Sequence, residues 1–446
     1  MESKQAFSDV SARSLPMSRN EVSLFLAGAD SNKKSFSSTE LDILEQLKGE
    51  FHEELSKLSV KTSKQHHEKH LLRWREGEHQ TYIDFDFAQR FDVKRGDQFE
   101  KPERTSHTTM GGIIRGKLGS YLNFYVHAQN RLDRGTGITH ENFDPRQGAP
   151  LTISGKNVFS DESWAYLTLA NAWFQAEFGR DQLKWGPGQR GSLMLSRENP
   201  PFEMLKLKLR FNRFQFTSFH GALHTGDIAK YLAGHRLDIK LFRWMFLGGA
   251  EAVVYGNRDV EWSYLNPIMP YHVAEHHLGD KDNNTMSFDM TLFPKRNHKI
   301  YFELFLDDFT TAENPFTYYG NKFGIITGHQ WINPLGLTDT ELCMEYTRIE
   351  PYVYTHKDSV NTYLNYNQSI GHWLGPNSDD LFISFSWLLS RDLTIVLSGE
   401  KIRHGEGDIF TPHTVDDGVR KKFLSETNQN SWSFGMNIRD QLFRDV

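Results

Sequence analysis

The chain has 446 residues, 51 basic against 57 acidic with a net charge of −6, and 38% hydrophobic content, with a mean hydropathy of −0.58. No apolar run is long enough for a spanning helix: Trp244 to Tyr255 is among the best, and Glu251 breaks it. The charge balance gives no reason to expect nucleic acid as a partner, and the single cysteine, Cys343, excludes a disulfide framework and a cysteine zinc cluster. The first residues, MESKQAFSDVSARSLP, lack the apolar core of a secretion signal, so a secreted form is expected to start after its signal. Residues 1–78 read as a helical region and linker. Leu15 to Asp30 and Ser38 to Leu58 carry apolar residues at helical spacing, with Leu41, Leu44, Leu47, Phe51, Leu55 and Leu58 in one stripe and Ser38 or Thr39 as cap. His66, His67 and His70 follow without a partner ligand at defined spacing and read as a solvated linker.

From residue 79 to 446 the period is two. In YIDFDFAQRF, Ile83, Phe85 and Phe87 oppose Asp84, Asp86 and Arg90; next, Leu122, Phe124 and Val126 oppose Asn123, Tyr125, His127, Gln129 and Arg131. Trp164 to His220 shows the unit twice: a hairpin reversing near Asn171, a polar glycine-rich stretch, then MLKLKLRFNRFQFTSFH turning at Asn212 and Arg213. The pattern recurs at HRLDIKLFRWMFLGGAEAVVYG, TMSFDMTLFPKRNHKIYFELFLDDF, DDLFISFSWLLSRDLTIVLSGEK and SWSFGMNI. Strands with one oily and one charged face, joined alternately by short turns and long polar loops, predict an all-β transmembrane fold: an antiparallel outer-membrane β-barrel with lipid outside and a polar lumen. About sixteen strands are legible, and an even total is the bacterial norm. The final RDQLFRDV reads as a turn leading to a strand that does not follow, so a truncated C-terminus or a strand missed in the count is expected. The helices of residues 1–78 are too small to stand alone and are expected at the periplasmic mouth.

Four long-loop segments, GRDQLKWGPGQRGSLMLSRENPPFEMLKL (179–207), LNPIMPYHVAEHHLGDKDNNTMSFDM (265–290), YFELFLDDF (301–309) and SIGHWLGPNSDDL (369–381), stand in order behind LPMSRNEVSLFL. In these segments the chain resembles the Wzi capsule-assembly family. The resemblance implies a barrel of about eighteen strands with a small helical bundle at its periplasmic end. It also implies a lectin, not an enzyme, that holds exported capsular polysaccharide at the cell surface.

The expected sugar contacts are aromatic faces and forked polar groups, which match the C–H faces and hydroxyl pairs of a glycan: Trp185, Arg190, Arg197, Glu203, Trp262, Tyr264 and Trp373. No catalytic residue, metal or cofactor is expected. HVAEH at 272–276 fits the H-x-x-E-H zinc-hydrolase pattern, but Pro267, Pro270 and Gly279 around it favour a polar loop over the helix this chemistry needs. Asp307 and Asp308 point to opposite faces of a strand, and no G-x-S-x-G elbow or phosphate loop is present. The expected partners are surface polysaccharide and outer-membrane lipid, with a monomeric protein. The rival readings are a general porin, which needs an open lumen, and a glycan-processing outer-membrane enzyme.

Overall fold

The computed structural model describes residues 2–5, 7, 9–62, 69–94, 101–136, 152–155, 157–426 and 429–441. His66, His67 and the last five residues of RDQLFRDV lie outside them, whereas His70 is described and its Nδ1 sits 2.9 Å from Asp84.

Seventeen strands, from Leu72–Glu76 through His79–Lys94 and on to Gln429–Asp440, pair in one unbroken run in which every ladder is antiparallel. The strand missing from the sequence count is Leu72–Glu76, five residues that read as linker because they are too short to show a period. No ladder joins the two end strands among the described residues, so the pairing gives an odd, open run where an even, closed one was expected. Short turns such as 171–173, 212–213 and 389–392 alternate with long connections such as 182–201, 257–282 and 350–377. At the first of these turns, Asn171 Oδ1 accepts the N–H of Trp173 at 3.0 Å and of Phe174 at 2.9 Å, an Asx turn that fixes the register.

The two faces are sorted as the alternation requires. On Asn283–Leu292, Thr285, Ser287, Asp289 and Thr291 are buried, while Phe288 is exposed on the other face. On Phe202–Phe211, Lys206 and Lys208 are buried and Leu205 and Phe211 exposed. Burying charge costs several kcal/mol per ion unless it is paired, and here it is: Lys206 Nζ lies 2.6 Å from Glu177, and Arg236 lies 2.6 Å from both Asp238 and Asp289. The outward row carries aromatic rings at the short-turn end, among them Trp173, Phe211, Phe242 and Trp244, and at the loop end Phe91, Phe159 and Trp432, the spacing of two interfacial girdles.

The interior is not polar throughout. Toward the long loops, inward positions turn apolar (Phe202, Met204, Phe219, Leu232, Phe305, Ile326) and pack on Leu183, Trp185, Leu193 to Leu195, Tyr354, Tyr363 and Leu374 from connections folded inside. From the opposite end the N-terminal segment enters. Gln215 donates to Ser14 Oγ at 2.7 Å, Arg210 pairs with Asp9 at 3.1 Å, and Ser14–Leu15 forms a two-residue antiparallel ladder with Lys184–Trp185. Between these pieces lies a cavity of about 150 Å³ bordered by Arg13, Lys184, Asp289 and Lys299.

Helices α1 (Arg19–Ser31), α2 (Ser38–Glu50) and α3 (His52–Lys57) bury Leu26, Ala29, Leu44, Phe51 and Leu55 in a core of their own. The cap of α2 is Ser37, one residue before the expected Ser38 or Thr39; it forms a capping box with Glu40, as Ser18 does with Glu21 on α1. The bundle lies against the short turns: Arg296 donates to the Ser35 carbonyl at 3.0 Å, and Ser37 Oγ bonds Asp339.

Candidate functional site

The connection 182–201 is suspended from carboxylates on the inner wall. Glu345 accepts the N–H of Gln189 at 2.6 Å, the N–H of Arg190 at 2.9 Å and the Tyr301 hydroxyl at 2.6 Å; Glu303 accepts the N–H of Leu193 at 2.8 Å. Gly186 adopts φ +128° with Glu303 where a Cβ would sit, so the chain can pass only without a side chain there. This suspension places Arg190. Its guanidinium bonds Glu400, its Nε lies 4.0 Å from Asp380, and its Cζ sits 5.3 Å from the Trp373 ring centroid and 4.7 Å from that of Phe382. Trp373 in turn donates its indole N–H to the Arg190 carbonyl at 2.9 Å. Beneath them His372 is fully buried; burial, with the Arg190 and Lys184 charges, pushes it down to about 3, so the ring is neutral, and its Nδ1 accepts the Leu374 N–H at 3.2 Å.

Of the seven expected sugar contacts, Arg190 and Trp373 meet in this way. Trp185 is 1% exposed and packs edge-on against Phe219 in the apolar plug, so the residue expected as a contact serves as core. Arg197 is exposed on the same connection. Glu203 is exposed on the outer face and pairs with Arg180 at 2.7 Å and His224 at 3.3 Å. Trp262 and Tyr264 lie on α4 (Trp262–Leu265), in connection 257–282; Trp262 is 83% exposed, whereas Tyr264 is buried and donates its hydroxyl to Asp282 at 2.7 Å.

A second surface, which alternation alone does not assemble, is the inner wall of strands Leu122–Gly135 and Asn157–Ala170. Their register sets Tyr125 opposite Tyr166, His127 opposite Trp164, and Gln129 opposite Glu162. Tyr125 and Tyr166 stack at 5.2 Å, His127 and Trp164 at 5.2 Å, and Gln129 donates to Glu162 at 3.0 Å. Flanking charges are held in place: His127 lies 3.1 Å from Asp86, Arg131 bonds Asp133 at 2.7 Å, and His107 lies 2.7 Å from Asp133. Two aromatic rungs and one amide–carboxylate rung, ~7 Å apart along the strand, offer ring faces and forked hydrogen-bonding groups on one half-buried wall. Alternation had put Tyr125, His127 and Gln129 on the wet face; the missing information was their register with Trp164 and Tyr166, across the long connection 136–156.

The H-x-x-E-H segment is helical, against expectation. Helix α5 (Tyr271–Leu278) has Pro270 as its N-cap and Gly279 at φ +95° as its C-cap, so the residues read as breakers are its start and stop signals. Glu275 faces the wall, while His272 and His276 are exposed with rings 4.2 Å apart. Among the described residues no group of three or more histidine, cysteine, aspartate or glutamate side chains is arranged to hold a metal. Asp307 is buried and accepts the Tyr354 N–H at 2.6 Å; Asp308 is exposed and pairs with Lys322 at 2.7 Å.

The sequence profile described as "Capsule assembly protein Wzi" matches residues 85–444. No curated protein matches the chain. Among solved structures, the Escherichia coli outer-membrane protein Wzi, described as involved in group 1 capsule assembly and as a carbohydrate-binding β-barrel, superposes with a TM-score of 0.57 at 12% identity, over 98% of this chain and 93% of that one. A triple-mutant porin of Rhodopseudomonas blastica gives a TM-score of 0.41 at 9% identity, over 80% of this chain and 99% of that one.

Proposed function

This chain belongs to the Wzi capsule assembly family, and from that premise we propose that it is a non-enzymatic outer-membrane lectin that attaches exported capsular polysaccharide to the cell surface. The observation that carries the sugar site is the pairing of Tyr125 with Tyr166 and His127 with Trp164 on a polar inner wall; the Arg190–Trp373 pair on the folded-in connection supplies a second contact. Glycans are held by ring faces that stack on their C–H surfaces and by carboxylate, amide and guanidinium forks that match hydroxyl pairs, and both sets are on these surfaces. Arg197 and Glu203, both exposed at the loop end, extend the contact area. The protein works as a monomer embedded in outer-membrane lipid, and the barrel closes where Gln429–Asp440 meets the edge of His79–Lys94 that the short Leu72–Glu76 leaves uncovered. The helical bundle forms the periplasmic floor, and the sheet behind it forms the barrel.

The experiment is a glycan array probed with detergent-solubilised protein. Wild type retains a capsular glycan, and Trp164→Ala weakens that retention by about 3- to 10-fold, the ~1 kcal/mol of one aromatic stack. Binding to none of the capsular glycans would remove the lectin reading, and shortening of the bound polysaccharide would replace it with an enzyme.

A further inference from the structure

Connection 257–282 does not cap the barrel; it lies on the outside of the wall. Outward residues on strand Lys230–Phe242 are those in phase with Leu237, which is 41% exposed, and on Met245–Gly256 those out of phase with Phe246, which packs inward on Val10. Ala233, Val253 and Tyr255 therefore point away from the lumen, yet all three are buried, in a cluster with Tyr264 of α4 and with Tyr271 and Ala274 of α5. The covering is specific. Glu251, also on the outer face, accepts the N–H of Tyr271 at 2.9 Å and of His272 at 2.6 Å at the start of α5, takes the Asn284 amide at 3.2 Å, and lies 3.2 Å from His235. A carboxylate on the lipid side of a barrel is costly; here α5 consumes it. Arg258 closes the other end with two hydrogen bonds to Asp282, at 2.8 and 2.5 Å.

The flap so formed reaches from the loop end down to Glu251, five residues below Gly256, or ~13 Å in height once strand tilt is allowed for. Immediately below it the lipid-facing row resumes at Leu237 and Phe288. The flap's own outer side, turned from the wall, presents Trp262, Ile268 at 78% exposure, Leu265 and Val273. Those side chains continue the apolar band of the barrel at the depth where amphipathic helices bury ~5–10 Å into the headgroup and acyl boundary, and where tryptophan concentrates.

We propose that the flap's outer side is a lipid-binding surface, with Trp262, Leu265, Ile268 and Val273 seated among the outer-leaflet lipids at the base of their headgroups. The partner is lipid and not water, because these side chains continue the row that the barrel already turns toward lipid. The inference is independent of the sugar site and shares with it only the membrane setting.

The test is spin-label accessibility in vesicles of phosphatidylethanolamine and phosphatidylglycerol, with a nitroxide at Ile268→Cys in a Cys343→Ala background. Labels at Leu397→Cys, on the lipid-facing wall, and at Val415→Cys, on an exposed connection, calibrate the two extremes. The expected result is collision with oxygen several-fold more frequent than with a water-soluble nickel complex, as at Leu397. Nickel access equal to that at Val415 would place the flap in water and overturn the proposal. Protection from both reagents, with spin–spin broadening that vanishes when labelled protein is diluted with unlabelled, would assign the surface to a second copy and overturn it as well.

Discussion

Arg236 shows how residue chemistry dictates side: fully buried, it lies 2.6 Å from both Asp238 and Asp289 on the inner face. Replacing it with methionine leaves two carboxylates facing each other without a cation. Arg236→Met is expected to lower stability by ~3–5 kcal/mol, read as the shift in urea midpoint of the folded band on an unheated gel; an unchanged midpoint would mean the triad is neutral. Glu275 behaves differently because its neighbours are acidic. Burial first, then Asp280, Asp282, Asp308 and Glu251, push its carboxyl up to about 8. A folded-state value raised above the ordinary one favours the protonated form. Its stabilisation of the flap is thus whole below ~pH 4.5 and is lost as the pH rises through about 8. Amide exchange of residues 257–282, corrected for intrinsic rate, is expected to quicken between about pH 6 and about pH 9. Glu275→Gln should abolish that difference, and equal protection at both pH values would contradict it. At this scale the sequence was informative about side and silent about partners: Lys206 and Lys208 could be assigned to the inner row from alternation alone, but Trp185, expected as a sugar contact for its aromatic face, is buried in the apolar cluster that distant connections complete.

Among the elements, the strands were legible and the connections were not. Met286, Phe288 and Met290 against Ser287, Asp289 and Thr291 define a strand with both faces named, since only a two-sided environment rewards a strict period of two. Helix α5 escaped because it is short and its stability is tertiary: Glu251 caps it from another strand, a contact that no local pattern contains. The N-terminal segment is a further case. Its ladder from Ser14–Leu15 to Lys184–Trp185 joins the short-turn end to the connection that carries Arg190, a pairing across some 170 positions of chain. Removing residues 2–62 takes away the bundle and this ladder together. The wild-type protein is expected to show no steady porin current in planar bilayers, and the deleted form a steady conductance; a deletion as silent as wild type would mean the folded-in connections seal the lumen unaided.

For the molecule as a whole, the sorting of oily rows outward and charged rows inward makes a membrane protein out of a chain with soluble-looking hydropathy, and the two masses packed inside distinguish it from an open channel. The sorting rests on paired polar groups along the inner wall, and the packing on apolar residues of the folded-in connections. The lumen wall with its Tyr125–Tyr166 and His127–Trp164 rungs and the Arg190–Trp373 pair is where the account puts the polysaccharide. The most direct measurement is the fraction of capsular polysaccharide that stays on cells and the fraction shed to the medium, in a strain whose own copy is replaced by wild type or by the Trp164→Ala, Arg190→Ala double variant at equal folded amounts. The variant's capsule is expected to move largely to the medium with its chain length unchanged. Polysaccharide retained on the variant's cells as on wild type would contradict it.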